Sequence, residues 1–229
     1  MRISDHTLLP TSMIARCFLL SLLLITALSG CGVVGRTSIK TVRLAVQGKP
    51  DVNPSPSEVA ANRYPQIKVT GPNGGAVLVL GNIDDGRQAW YSTEHSIVFL
   101  RDGLVVGTHG GTPELQLSSI EGDNPFHDLR QVADGTKVRR RYDVMPGYRF
   151  GMLVTGTLRR VGSEQVDILG RKRNLLRYRE VLRGDGWRRN NDYWVDPNSG
   201  FIHKSVQAIA SDMSLEIVQL KPYAPDLQR

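Results

Sequence analysis

The residue whose chemistry the sequence specifies most closely is Cys31, which follows Gly30 and an apolar run at residues 18–27. Small residues before a cysteine let the backbone enter a peptidase site, and the cysteine sulfur is then the nucleophile that takes a lipid. The apolar run is shorter than the roughly 20 residues that a membrane-spanning helix needs. The pattern therefore predicts a lipoprotein signal peptide over residues 1–30, with Met13 as an alternative start of translation. An ordinary secretory signal with an incidental cysteine is the alternative.

Acylation of Cys31 predicts where the protein resides. One acyl chain holds a protein at a membrane only marginally, whereas two or more give stable anchoring. We expect palmitate among the acyl chains on Cys31. Gly32 stands where an aspartate commonly retains lipoproteins in the inner membrane. We therefore expect a lipid anchor in the outer membrane and a periplasm-facing protein. Cys17 lies inside the predicted signal, so the mature core is expected to hold without a disulfide.

Two basic segments each place one charged residue among apolar neighbours. Under strand alternation, the first segment puts Arg139 and Arg141 on one face, and Arg140 shares the other face with valine and tyrosine side chains. The same alternation puts Glu180 among leucine and tyrosine side chains, although its segment also fits the period of a helix. A charge on an apolar face needs a partner. We predict a buried ion pair between Arg140 and Glu180, with a polar spot lining a ligand groove as the alternative.

Aromatic and basic side chains close together in the sequence form a candidate contact for sugars. Trp187 precedes Arg188 and Arg189 and is predicted to be the most exposed of the tryptophans. An exposed indole can stack on a sugar ring, and guanidinium groups bind carboxylates and phosphates. With Arg139 and Arg141, these residues form the candidate contact for a glycan or a partner. Core packing of the tryptophan and solvated strand faces are the alternatives.

No motif in the sequence predicts a catalytic or metal site. Metal-ligand spacing is missing from the histidines of the mature chain, which are His95, His109, His127 and His203. No nucleophile elbow occurs, although the sequence leaves a Ser-His-Asp arrangement open. We therefore expect a non-catalytic protein that uses no cofactor and no metal.

The charge of the chain favours anionic partners. The formal net charge is +7 at pH 7, which suits lipid headgroups, lipopolysaccharide or acidic polysaccharide. Nucleic acid is disfavoured by the predicted compartment and not by the charge. Basic residues scattered over solvated strand faces would explain the same charge without any partner.

The segment that follows the predicted cleavage site is expected to be a tether. Residues 31–65 would contain one short amphipathic helix at residues 37–47, a proline-rich loop, and a helical turn capped by Ser57. The prolines of the loop forbid regular pairing. One or two short helices are therefore predicted near the mature N-terminus.

From residue 66 onward, short alternating or apolar runs separated by turn signals predict a mainly β domain. Asp85-Gly86 and Asp102-Gly103 are strong signals for two-residue hairpins. We count roughly ten strands at intervals of about 8–14 residues, the spacing of a sandwich or barrel. The prediction is a single domain over residues 66–229, built as an antiparallel meander that forms an open barrel or a sandwich.

Several segments together resemble the YjbF/GfcB family of lipoproteins, which are encoded with exopolysaccharide and group 4 capsule genes. The resemblance covers nearly all of the mature chain and depends on the order of its pieces. The matching pieces are the lipid-acceptor motif at Cys31 and residues 77–81, 88–92, 102–110, 123–126 and 193–202. It implies a β-rich periplasmic lipoprotein that accompanies polysaccharide export, with polysaccharide-export proteins or an anionic polysaccharide as partners.

Three functions follow from these observations. The leading hypothesis is a non-catalytic outer-membrane lipoprotein, accessory to the export or assembly of an extracellular polysaccharide. The hairpin at residues 194–202 also looks like those of open half-barrel carriers of lipid or lipoprotein, which makes a carrier the second hypothesis. A polysaccharide-modifying enzyme is the third, and it would need carboxylates or a nucleophile gathered in one cleft.

Overall fold

The first element of the described chain is a short helix, α1 (Pro56–Ala61), whose start is fixed by a capping box. The structure is a computed structural model that describes residues 51–228. The Ser55 Oγ accepts a hydrogen bond from the Glu58 backbone N–H (3.3 Å), and the Glu58 carboxylate accepts one from the Ser55 N–H (2.6 Å). The expectation that Ser57 caps the helix is wrong, because Pro56 occupies the first helical position and the cap is therefore Ser55.

Other predictions fall on residues that the structure does not describe. The signal peptide, Cys31 and the helix expected at residues 37–47 all lie outside residues 51–228. Within that range, no helix has the length and the apolar character that crossing a membrane requires.

Twelve strands follow α1 in the described part of the chain. Three short 3-10 helices accompany them, two between β6 and β7 (Pro125–His127 and Leu129–Gln131) and one at the end (Ala224–Gln228). The strands are β1 (Gln66–Gly71), β2 (Gly74–Asp84), β3 (Arg87–Tyr91), β4 (Ile97–Arg101), β5 (Leu104–His109), β6 (Glu114–Glu121), β7 (Lys137–Met145), β8 (Arg149–Ile168), β9 (Arg171–Gly184), β10 (Trp187–Val195), β11 (Ile202–Ala208) and β12 (Ser214–Lys221).

All twelve strands form one antiparallel sheet, in the order β5-β4-β3-β2-β1-β12-β11-β10-β9-β8-β7-β6. The sheet curls into a nearly closed barrel, and its two edge strands, β5 and β6, approach each other. At this seam the Leu115 N–H donates to the Thr108 Oγ1 at 2.9 Å. The prediction of an antiparallel open barrel is confirmed, and the twelve strands compare with the roughly ten expected from the sequence.

The two Asp-Gly pairs form the hairpin turns that the sequence predicts. Asp85 and Gly86 have φ values of 45° and 71°, and Asp102 and Gly103 have 52° and 76°. A positive φ at both central residues is the signature of the type I′ turn, whose twist matches that of the flanking strands. These turns fix the register of β2 with β3 and of β4 with β5.

Because all neighbouring strands are antiparallel, the turns collect at two ends of the barrel. We call the end formed by the turns after the odd-numbered strands, β1 to β11, the open end. The first described residue, Asp51, lies at this end. Its Oδ2 binds the Lys68 Nζ at 2.8 Å, and its Oδ1 would be 2.6 Å from a Cβ added at Gly75, beside the β1–β2 turn. The opposite end, which we call the plugged end, is closed by the buried Phe126 and Leu129 of the β6–β7 connection.

Side chains fill the interior of the barrel. The largest fully buried ones include Trp90, Tyr142, Trp187 and Tyr193. Gln207 crosses the interior from β11 to β5, where its Nε2 donates to the Gly103 carbonyl (2.8 Å) and its Oε1 accepts from the Val105 N–H (3.0 Å). A pocket of about 660 Å³ lies at the open end.

Three segments complete the description of the sheet. The segment around Glu180, predicted as a strand with a helix as the alternative, is strand β9. Residues 108–136 contain the eight-residue strand β6 and two 3-10 helices in addition to loops. Phe150 lies off the buried face of β8, because Gly151 adopts a φ of 66° and interrupts the alternation.

Candidate functional site

The structure brings Arg140 and Glu180 together inside the barrel. The Arg140 Nε donates to Glu180 Oε1 at 2.8 Å and its Nη2 donates to Oε2 at 2.9 Å. Their side chains are 2% and 0% exposed. The bidentate geometry is the one in which a guanidinium and a carboxylate bind most strongly. The pair lies in the interior, and Arg140 also borders a pocket of about 390 Å³ beside β6.

The remaining polar atoms of this pair are satisfied by neighbours on β10 and by an aromatic ring. Glu180 Oε2 also accepts from the Tyr193 hydroxyl (3.0 Å) and from the Asn191 Nδ2 (2.9 Å). Asn191 Oδ1 in turn accepts the Ala208 N–H at 2.8 Å. The guanidinium carbon of Arg140 lies 4.8 Å from the centre of the Phe126 ring. This saturation removes most of the cost of burying the charges.

A glycine lets the two charges meet. Arg140 on β7 is paired with Val154 of β8, and Glu180 on β9 is paired with Leu158, which also belongs to β8. Gly156 lies between these two inward-facing positions of β8. A Cβ there would lie 2.7 Å from the Cγ and Cδ atoms of Glu180, so a side chain at this position would displace the carboxylate.

Burial and the ion pair hold these groups in fixed protonation states. Burial alone would lower the pKa of the Arg140 guanidinium, but the facing Glu180 carboxylate raises that pKa above its usual value. Burial, and then the nearby Glu180 charge, raise the pKa of the Tyr193 hydroxyl well above its usual value. Burial raises the pKa of Tyr142 to about 12. The cluster therefore stabilises the interior and is not suited to exchanging protons with a substrate.

Candidate contact residues lie on the outer surface, where strand register aligns them in a row. Arg139 on β7 pairs with Thr155 on β8, Thr155 pairs with Arg183 on β9, and Arg183 pairs with Arg188 on β10. Directly paired residues project from the same face of a sheet. At about 4.8 Å between strands, the line from Arg139 to Arg188 spans about 14 Å. We call Arg139, Thr155, Arg183 and Arg188 the arginine row.

The arginine row is only partly neutralised by the described residues. Glu121 lies beside its β7 end, where it binds Arg141 at 2.6 Å and Arg139 at 3.9 Å. Arg183 donates from Nη1 to the Leu182 carbonyl at 2.8 Å, and it has no carboxylate partner within residues 51–228. Arg188 is exposed and has no carboxylate partner in the same range. Two guanidinium groups are therefore available to an external anion.

Two other arginines of β9 are already neutralised. Arg177 and Arg179 both bind the carboxylate of Asp192, at 3.2 and 2.9 Å, and Arg177 also contacts Glu164 at 3.1 Å. Burial would lower the pKa of Arg179, but its hydrogen bond to Asp192 is the larger effect and raises it. Arg183 and Arg188 therefore differ from Arg177 and Arg179 in having no carboxylate partner among residues 51–228.

The structure separates the contact residues predicted from the sequence. Arg139, Arg141 and Arg188 lie on the outer face. Arg189 is paired with the buried Leu182 and therefore projects toward the opposite side of β10, where its Nη2 donates to the Ser214 Oγ at 2.8 Å. These two sets of arginines cannot contact one ligand together.

The predicted exposure of Trp187 is wrong. Its side chain is 1% exposed, and its ring stacks on Tyr142 with the ring centres 4.3 Å apart. The cause is the tight turn at Asp185 and Gly186, which pairs Trp187 with Gly184 and directs the indole into the core. The same turn sets Arg183 opposite Arg188, so an Asp-Gly hairpin signal could have added Arg183 to the candidate contact.

A metal centre has no support in this part of the molecule. Within residues 51–228, no group of three or more histidine, cysteine, aspartate or glutamate side chains is arranged to hold a metal ion. His109 and His127 each lie near one carboxylate, Glu114 at 3.2 Å and Asp102 at 3.5 Å respectively. A single carboxylate and imidazole do not complete a coordination shell.

Comparisons with known proteins connect this fold to lipoproteins. A family model described as "Group 4 capsule polysaccharide lipoprotein gfcB, YjbF" matches residues 39–220. The crystal structure of the hypothetical lipoprotein YmcC from Escherichia coli (K12) is similar, with a TM-score of 0.67 and 21% identity over 74% of this chain and 89% of that one. At this identity the likeness shows the fold alone. Among curated proteins, none matches the chain.

Proposed function

Because the chain belongs to the YjbF family of group 4 capsule polysaccharide lipoproteins, we propose that it is a non-catalytic accessory in the export or assembly of an extracellular polysaccharide. We propose further that an acylated Cys31 anchors it in the outer membrane and that the barrel faces the periplasm. Family membership supports a lipoprotein in the cell envelope. The finer location rests on the residues around Cys31 and on Gly32.

The observation that carries the proposal is the arginine row. Three guanidinium groups, on β7, β9 and β10, form a line that can bind successive carboxylates or phosphates of an extended anionic polymer. Arg183 and Arg188 have no competing carboxylate among the described residues, so the polymer would not first have to break an ion pair at these positions. Arg141, which lies two residues after Arg139 on the same face of β7, extends the basic surface.

The interior of the barrel argues against an enzyme and restricts where a carrier could hold an acyl chain. Arg140 and Glu180 are sealed from solvent by the side chains around them, so they cannot reach a glycan as an acid or a base. Trp90, Tyr142, Trp187 and Tyr193 fill the middle of the barrel together with the ion pair, so space for an acyl chain lies in the pocket of about 660 Å³ at the open end. The arginine row therefore remains the surface with the clearest chemistry.

The test compares two variants with equal loss of charge. The row variant is Arg139→Ser/Arg183→Ser/Arg188→Ser, and the control is Arg159→Ser/Arg171→Ser/Lys172→Ser, which removes three exposed charges from the β8–β9 hairpin. Each replaces the wild-type gene, and surface polysaccharide is quantified beside a deletion strain. We expect the deletion and the row variant to reduce the polysaccharide, and the control to match wild type.

Two outcomes contradict different parts of the proposal. If the deletion leaves the amount and attachment of surface polysaccharide unchanged, the accessory function is wrong. If the deletion reduces the polysaccharide but the row variant restores it fully, the function stands and the arginine row is not the contact. Binding of purified acidic polysaccharide should also weaken steeply between low and high salt, because screening acts directly on exposed guanidinium groups.

A further inference from the structure

The β7–β8 turn and the start of β8 carry the three most exposed large hydrophobic side chains of the described residues. Tyr148 is 77% exposed, Phe150 56% and Leu153 51%. The rings of Tyr148 and Phe150 contact each other edge to face, with their centres 6.2 Å apart. Isolated exposed apolar residues are common, but several within six residues of chain mark an interaction surface. We call Tyr148, Phe150 and Leu153 the apolar tip.

The backbone holds the apolar tip in place. The Gly151 N–H donates to Asp143 Oδ1 at 2.6 Å, and the Leu153 N–H donates to Asp185 Oδ2 at 2.6 Å. Two carboxylates beside the tip are thus engaged by backbone donors. The positive φ values of Tyr148 (51°) and Gly151 (66°) turn the chain so that its aromatic side chains project outward.

Cationic side chains lie beside the apolar tip. Arg149 stands between the two aromatic residues in the sequence, and its Nη1 contacts the Ser211 Oγ at 3.3 Å. Arg141 is the cross-strand partner of Leu153 and therefore projects from the same face. Aromatic side chains flanked by arginine are typical of the interface between headgroups and acyl chains of a bilayer.

The apolar tip and the incoming chain lie at the same end of the barrel. The β7–β8 turn follows an odd-numbered strand, so it belongs to the open end. Asp51, the first described residue, lies against Gly75 just after the β1–β2 turn of that end. Twenty residues separate Asp51 from Cys31 in the sequence. The lipid anchor of the proposed function would thus connect to the barrel on the side where the apolar tip projects.

We propose that Tyr148, Phe150 and Leu153 insert into the headgroup region of the membrane that anchors the chain, while Arg149 contacts lipid phosphates. This inference rests on the lipid anchor of the proposed function. The anchor keeps the barrel at high local concentration near the bilayer, so even a small apolar contact is populated. The open end of the barrel then faces the membrane and the plugged end faces away from it.

The experiment uses the full lipidated protein with Tyr148→Trp, reconstituted in vesicles of phosphatidylethanolamine and phosphatidylglycerol with brominated acyl chains. Bromine quenches an indole that reaches the acyl boundary. The native Trp90, Trp187 and Trp194 are at most 6% exposed and contribute a constant signal. We expect the difference between Tyr148→Trp and wild type to be quenched at least twofold relative to vesicles without bromine.

Two matched variants control the measurement. Tyr64→Trp places an indole at a residue that is 46% exposed and precedes β1 at the plugged end, and it should not be quenched. Adding Phe150→Ser and Leu153→Ser to Tyr148→Trp should abolish the quenching while the protein still floats with vesicles through its anchor.

The outcomes separate the inference from its premise. Flotation with vesicles but equal emission of Trp at position 148 with and without bromine would overturn the membrane contact and leave the anchor intact. Loss of flotation in the acylated protein would overturn both. If soluble anionic polysaccharide, and not the vesicle, changes the emission at position 148, the apolar tip is a glycan contact and the inference is wrong.

Discussion

Glu180→Gln tests whether the buried ion pair stabilises the barrel. Glutamine keeps the volume of the side chain but removes the charge, and its amide nitrogen turns a donor toward donors of Arg140, Tyr193 or Asn191. The Arg140 guanidinium would remain 2% exposed without an anion. Removing one partner of a buried, hydrogen-bonded pair costs about 3–5 kcal/mol. We expect the free energy of unfolding to fall by that amount.

The double variant distinguishes the pair from two independent losses. Arg140→Met should cost about 3–5 kcal/mol on its own, because it leaves the Glu180 carboxylate buried without a cation. Arg140→Met/Glu180→Gln removes both charges, so neither remains unpaired. Unit charges about 4 Å apart interact by about 4 kcal/mol at an effective dielectric constant of 20. The double variant should therefore be at least about 2 kcal/mol more stable than the sum of the single losses predicts.

Urea unfolding followed by tryptophan fluorescence measures these differences. Trp90 and Trp187 are buried in the same core cluster as Tyr142, so their emission reports loss of the interior. The denaturant slope should be unchanged if the variants alter stability alone. If Glu180→Gln unfolds at the wild-type urea concentration, or if the two single losses simply add in the double variant, the interaction does not stabilise the fold.

Three further predictions concern single positions. Gly156→Ala should lower the free energy of unfolding by about 3 kcal/mol, because its methyl group displaces Glu180; urea unfolding at the wild-type midpoint would contradict this. Burial, and then the charge of Arg173, lower the pKa of His203 to about 4, whereas the pKa of this imidazole in the unfolded chain is about 6.5. Between these pH values the unfolded state binds a proton that the folded state does not. The contribution of His203 is thus complete above pH 6.5 and is lost as the pH falls to 4, by about 3 kcal/mol, and His203→Gln should flatten this part of the profile of unfolding free energy against pH. Ser55→Ala should cost about 1 kcal/mol through loss of the helix cap, measured by the same urea titration, with Ser57→Ala as the matched control.

Alternation along the strands was enough to place the buried charges. Arg140 and Glu180 interrupt otherwise apolar faces, and the structure has both residues on those faces. Their contact across β8 could not be derived, because it depends on the register of three strands. Gly156, at an inward-facing position of β8, is the local signal that a bulky neighbour needs the space, but its meaning is visible only once β7, β8 and β9 are aligned.

Trp187 shows where a local pattern misleads. Its neighbours in the sequence are glycine, aspartate and arginine, a composition typical of an exposed turn. In the structure the two-residue turn ends before it, so Trp187 is already the first residue of β10 and follows the alternation of that strand. Composition around a residue thus predicts exposure poorly at a strand boundary, where the turn type decides which face the next side chain occupies.

The apolar tip and the arginine row together determine how a bound polymer would lie. The row crosses the strands, whereas the strands run between the open and plugged ends of the barrel. If the open end rests on the membrane, an anionic polymer bound to the arginine row crosses the wall of the barrel and does not run along its strands. Ionic strength separates the two contacts, because salt screens the exposed guanidinium groups but leaves apolar burial at the tip intact. Raising the salt should therefore release polysaccharide from the row while quenching at position 148 persists, and simultaneous loss of both signals would show that the two surfaces are not independent.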